Sequence, residues 1–336
     1  MFWLKKNKKI ILGGFIVAMV LIFSIIILSE NTSLARLFAE TNYCANESCE
    51  ASVVYAASKD YSLKNQKKLL KITAGAYLIG DLDTGEIILG KDINTRYPIA
   101  SVSKLVTALV TVEMIQNKKV IDDALAKTQK IYGTIPIKKK TITLQESAKD
   151  FLYPLLLRSS NQVAEILANE VGWPNFIRQM NEKASLIGMD NTLFEDPSGL
   201  TPHNISTTHD LFQLAQYLYK KRPEILEITK TERQATLGTV WSNNSKFLGN
   251  KGYLGGKTGF TNAAKQTLVS MFSIPLSNKE RRNIAIIMLQ SPDRFNDVQK
   301  ILTYMKENVV YKKKTFNIPP PSISTSTPKT ATTTKI

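Results

Sequence analysis

At 336 residues, with 43% hydrophobic and 8% aromatic content, the chain can bury a sizeable core as one large domain or two medium ones, which excludes a wholly disordered protein. Its net charge of +16 suits an anionic partner: nucleic acid, an acidic membrane surface or an anionic polymer. No aromatic-and-basic nucleic-acid module is visible, so the charge points away from nucleic acid.

The N-terminus points to the membrane. Residues 1–9 form a lysine-rich stub, and residues 10–28 carry no charge. That length spans a bilayer, and the flanking lysines predict a cytoplasmic N-terminus with all later residues outside. The rival is a cleaved signal peptide, whose apolar core is shorter and ends in a small-x-small site. Residues 29–71 are polar and mixed and read as an extracytoplasmic stalk. Cys44 and Cys49 lie there, where a small-loop disulfide or two idle thiols are both open. The folded unit is expected at 72–312. The stretch 313–336, rich in Pro, Ser and Thr, reads as a disordered tail.

Within the unit, strands are expected at 74–79 and 86–90, joined by the turn residues Asp83, Thr84 and Gly85. Ser101 and Lys104 follow, one helical turn apart at the start of an apolar-periodic helix. Lysine in a first turn breaks the usual charge rule, and such a breach points to function. The pattern is cheap: about two S-x-x-K matches arise by chance in such a chain. A second, Ser326 to Lys329, sits in the tail.

Thr143 and Glu146 form a capping box, and Pro154 is expected to kink or divide the helix behind it, which ends near Arg158. Helices are expected at 161–171, 174–186 and 207–220, with a loop at 196–199. After Pro223 the pattern turns to strands at 232–237, 253–257, 266–272 and 283–289, then a last helix at 294–309. The order implies an α+β fold: an antiparallel sheet built from both ends of the unit, packed on helices, with an all-helical subdomain beside it and one transmembrane helix in front.

Three short motifs stand in order: Ser101-x-x-Lys104, Ser159-x-Asn161 in the helical insert, and Lys257-Thr258-Gly259 near the end of a strand. This set marks penicillin-binding proteins and class A β-lactamases. The residues around it, among them Asp83 to Glu86, Ile99 to Ser101, Met180-Asn181, Gly188-Met189, Asp196 to Leu200, Ser206 to Asp210 and Asn244, resemble the D-alanyl-D-alanine carboxypeptidases, the low-molecular-mass penicillin-binding serine peptidases.

The resemblance implies a β-lactamase/transpeptidase-like fold. It also implies a membrane-anchored serine D,D-carboxypeptidase that cuts peptidoglycan stem peptides through an acyl-serine and is covalently inhibited by β-lactam antibiotics. A D,D-endopeptidase of the same family and a non-catalytic wall-binding homologue are the alternatives. A β-lactamase is disfavoured, because no E-x-x-L-N box follows Ser159-x-Asn161.

Ser101 is then the nucleophile and Lys104 its base, which must be neutral to act. The helix N-terminus and a second ammonium, Lys257, are expected to depress its pKa. Ser159 relays a proton to the leaving amine. Asn161 holds Lys104 or the substrate amide. Lys257 and Thr258 bind the peptide carboxylate, and Gly259 allows close approach. The resemblance places the oxyanion hole on the backbone N–H groups of Ser101 and Phe260. No metal or cofactor is implied, and the partners are stem peptides, β-lactams and, through 10–28, membrane lipid, with no nucleic acid.

Phe260 stands where many members carry histidine. Gln162-Val163 and Lys265-Gln266 also depart from the family pattern and bear on substrate preference. His203 and His209 lack a nucleophile motif around them and read as capping or surface residues.

Overall fold

The computed structural model describes residues 60–116, 144–236 and 238–311, all within the unit Val53–Ile336. The predicted membrane segment 10–28, Cys44, Cys49 and the tail 313–336 lie outside the described residues. Among the described residues no helix is long and apolar enough to cross a membrane.

A five-stranded antiparallel sheet organises the unit. Its strands are β2 (Ala76–Asp81), β3 (Ile87–Lys91), β8 (Tyr253–Thr261), β9 (Lys265–Pro275) and β10 (Arg281–Ser291), in the order β3-β2-β10-β9-β8. The sheet thus joins the first and last parts of the chain, as expected. Alternation along β10 explains why it is central. Ala285, Ile287 and Leu289 face one apolar cluster, while Ile284, Ile286 and Met288 face the other.

The first cluster packs against α1 (Lys104–Gln116), α2 (Leu144–Leu157), α3 (Asn161–Val171), α4 (Trp173–Leu186), α5 (Thr208–Lys221) and α6 (Pro223–Lys230). The second packs against α7 (Arg294–Asn308). Short pairs complete the unit: β4 (Tyr97–Pro98) with β5 (Ile205–Ser206), and β6 (Arg233–Thr236) with β7 (Thr239–Ser242).

Three local expectations change. Pro154 lies inside one continuous helix, α2, and does not divide it. Burial of Leu152, Leu155, Leu156 and Leu157 offsets the lost backbone bond. The helix α6 was not expected. Pro223 fits its first turn, and Ile225, Leu226 and Ile228 are buried, but eight residues give too short a periodic signal.

The ordered unit also begins before residue 72. Strand β1 (Tyr61–Leu63), inside the stretch read as stalk, pairs antiparallel with β11 (Val309–Tyr311). Tyr61 reaches further, donating its hydroxyl to Asp81. Asp81 is fully buried, receives Arg282 Nε at 2.8 Å, and caps the β2–β3 turn by accepting from the N–H groups of Asp83 (2.8 Å) and Thr84 (3.0 Å). The Arg282 guanidinium lies 4.2 Å from the Tyr311 ring centre, so one ion pair ties down both ends of the unit. Removing one member leaves an uncompensated buried charge. Asp81→Ala is therefore expected to cost about 3–5 kcal/mol of stability, measured by denaturant unfolding.

Candidate active site

Ser101 lies in a 3-10 turn, Ala100–Ser103, and Lys104 opens α1 directly after it. The turn starts from strain, since Ala100 has φ 49° in the left-handed region. It is held by buried polar contacts. Ser103 Oγ donates to Ala100 O at 2.9 Å and accepts from Asn204 Nδ2 at 3.0 Å, and Thr267 Oγ1 donates to Ile99 O at 2.9 Å.

Lys104 is fully buried. Its Nζ lies 2.9 Å from Ser101 Oγ, 2.7 Å from Asn161 Oδ1 and 2.5 Å from Ser198 O. A neutral amine has two N–H donors and one lone pair. Donation to Asn161 and Ser198 therefore leaves the lone pair for the Ser101 hydroxyl. Asn161 gets there because α3 begins at it, with Ser160 as N-cap accepting from Val163 N at 3.2 Å.

Ser198 O gets there through a loop cage that the sequence did not disclose. Asp196 accepts from the N–H groups of Ser198 (2.5 Å), Gly199 (2.5 Å) and Thr201 (2.7 Å). Asn204 accepts from the N–H of Glu195 (2.7 Å) and donates to Asp196 O (2.8 Å). Gly199 fits with φ 80°, and a Cβ there would stand 1.9 Å from Ala100 O.

Lys257 is the second buried lysine, 3% exposed. It donates to Ser159 Oγ at 2.9 Å and to Thr258 O at 2.8 Å. Ser159 also has left-handed backbone, φ 59°. The α6 end steadies β8, as Thr229 Oγ1 accepts from Gly256 N at 2.9 Å. At Gly259 a Cβ would lie 2.4 Å from Thr267 Oγ1 and 2.8 Å from Ser101 N. The strand therefore runs directly against the backbone of Ser101. Arg294 Nη1 donates to Gly259 O at 2.7 Å from the far side.

All three motifs thus meet in one cleft. A family profile described as D-alanyl-D-alanine carboxypeptidase matches residues 62–292. The chain belongs to that family. Among curated relatives, the D-alanyl-D-alanine endopeptidase of Escherichia coli K12 is 31% identical, covering 71% of this chain and 79% of its own. The enzyme of the same name from Pseudomonas aeruginosa is 31% identical over 65% of this chain and 72% of its own. D-alanyl-D-alanine carboxypeptidase DacB2 of Mycobacterium tuberculosis is 31% identical over 58% of this chain and 69% of its own. Penicillin-binding protein D2 of Listeria monocytogenes, solved with cefotaxime bound, superposes with a TM-score of 0.57 at 25% identity, covering 70% of this chain and 98% of that one. The protein is a member of a family of serine D,D-peptidase hydrolases with an α+β fold.

For a member of this family the electrostatics of Lys104 are the central question. Burial lowers its pKa to about 8, opposed by the negative charges of Asp196 and Glu165. Burial, rather than the helix terminus or Lys257 named from the sequence, is the largest cause. Lys257 lies well below the usual lysine range, first through burial and then through repulsion from Lys104 and Arg294. Among the described residues neither lysine forms an ion pair.

A lysine that takes the Ser101 proton must be neutral, so with Lys104 as base acylation is expected to rise about tenfold per pH unit below pH 8 and level off above it. Stopped acylation by labelled penicillin across pH 6–10 (on the order of five points) checks this; a flat profile removes the lysine as base.

Neither histidine joins the site. His203 Nδ1 is 2.9 Å from Glu195 Oε2 on the surface, and His209 Nδ1 is 3.8 Å from Asp210 Oδ1. Phe260 is 63% exposed beside Gly259.

Proposed function

We propose that the protein is a membrane-anchored serine D,D-peptidase that cuts peptidoglycan stem peptides at an acyl-D-alanine bond, with Ser101 as nucleophile. The single observation that carries this reading is Lys104 Nζ, fully buried and 2.9 Å from Ser101 Oγ. The amine accepts the hydroxyl proton as Ser101 attacks the D-alanyl carbonyl. The developing oxyanion sits between the backbone N–H groups of Ser101 and Phe260, a reading supported by the close approach of Gly259, the residue before Phe260, to Ser101 N. Collapse breaks the peptide bond, and Ser159 passes a proton to the leaving amine. Water then hydrolyses the acyl-serine. Lys257 and Thr258 hold the carboxylate of the leaving residue, and a buried lysine without an acidic partner suits such an anion.

Carboxypeptidase activity, release of a terminal D-alanine, is the first reading. Endopeptidase activity on cross-links is the second, and it is favoured by the names of the E. coli and P. aeruginosa relatives. Mass spectrometry of purified muropeptides after digestion tests both. Loss of terminal D-alanine from monomers supports the first, and conversion of dimers to monomers supports the second. Intact monomers and dimers overturn the assignment.

The predicted segment 10–28 would place this site outside the cell membrane with the N-terminus cytoplasmic. Fractionation of a C-terminally tagged chain tests that, since a soluble, shortened product means cleavage instead.

A further inference from the structure

Along β8 the side chains alternate. Lys257 and the Cβ position of Gly259 face Ser159 and Ser101, whereas Thr258 and Phe260 share the opposite face. Thr258 and Phe260 stand two residues apart, about 7 Å along the strand.

The Phe260 ring is 63% exposed, although it follows the residue that packs on the nucleophile's own backbone. Its cross-strand partner is Gln266. That side chain is occupied elsewhere, donating to Pro292 O at 2.6 Å and accepting from Arg294 N at 3.3 Å. The ring is therefore an uncovered apolar surface on the face where Thr258 would hold the leaving residue's carboxylate.

We propose that Phe260 determines leaving-group specificity: its ring packs against the side chain of the residue expelled from Ser101, so that a leaving D-amino acid with an apolar side chain larger than methyl is favoured. This rests on the reading of Ser101 as nucleophile and of Thr258 as carboxylate holder. The reaction itself is unchanged. The acyl–N bond breaks, the acyl group passes to Ser101 Oγ, and the free D-amino acid leaves with one added proton. Covering an exposed ring with an aliphatic side chain removes apolar surface from water on both partners.

The test compares the full chain on N-acylated peptides ending in D-Ala-D-Ala and in D-Ala-D-Leu, with kcat/KM read from the released D-amino acid. The wild type is expected to cleave the D-Leu peptide at least as well as the D-Ala peptide. Phe260→Ala is expected to lower the ratio of kcat/KM for D-Leu over that for D-Ala by about tenfold or more, whatever its effect on the D-Ala rate itself. Phe260→Leu is expected to keep most of the preference.

A Phe260→Ala protein that loses both substrates equally, or neither, overturns the inference. So does a wild type that is acylated by penicillin at Ser101 yet rejects D-Leu. A wild type that cleaves neither peptide and is not acylated overturns the nucleophile assignment along with it.

Discussion

Lys104→Met is expected to reduce the rate of Ser101 acylation by labelled penicillin by at least about 10³-fold, with the fold retained. The serine hydroxyl is a weak nucleophile until its proton is taken. Among the described residues the group within hydrogen-bond reach of Ser101 Oγ is Lys104 Nζ, at 2.9 Å. The nearest histidines are engaged with Glu195 and Asp210 and make no hydrogen bond to Ser101. Methionine fills most of the space of the lysine stem, which matters at a fully buried position. It leaves Asn161 Oδ1 and Ser198 O without their donor, so a stability loss of about 1–3 kcal/mol is expected beside the kinetic one. Thermal unfolding separates the two effects. Acylation within about tenfold of wild type, at any pH, would remove the lysine from its role.

Gly259→Ala carries the second large effect, through geometry. The added Cβ meets Thr267 Oγ1 at 2.4 Å, Ser101 N at 2.8 Å and Ala100 Cβ at 3.0 Å. Two of these three neighbours belong to the turn that carries Ser101, and one is backbone. That turn is already strained at Ala100 and tied to Ile99, Ser103 and Asn204, so it yields little. Strand β8 must shift instead, which separates the N–H of Phe260 from that of Ser101. A displacement of about 1 Å at such a site costs roughly 10²-fold in rate. The expected result is a drop of about 10²–10³ in acylation, with the melting temperature little changed because β8 is an edge strand. Gly249→Ala is the control, since a Cβ there meets nothing within 4 Å and full activity is expected. Equal activity in the two variants would show that β8 does not set the oxyanion geometry.

Much of the cleft was legible in residue types. Helix α3 begins at Asn161 and ends at Val171, as the pattern required, because Ser160 caps it and Gly172 closes it. Strands β8, β9 and β10 cover the expected runs and extend them. What stayed hidden has specific physical reasons. The third partner of Lys104 is a backbone carbonyl, Ser198 O, and carbonyls carry no residue signature. The Asp196 cage that aims it is built from N–H groups of a loop. Strands β1 and β11 are three residues each and lie at opposite ends of the unit, too short for a period-2 pattern to show.

The sequence by itself determined which side chains can do the chemistry and in what order they occur: a serine and lysine one turn apart, a capped helix starting at an asparagine, and a glycine on the strand beside them. The tertiary structure alone decided the protonation chemistry. Whether Lys104 is an ordinary surface cation or a base depends on what surrounds its ammonium, and that comes from α3 and the 196–199 loop at once. Burial there lowers its pKa to about 8, an effect of low-dielectric surroundings that no spacing of residues encodes.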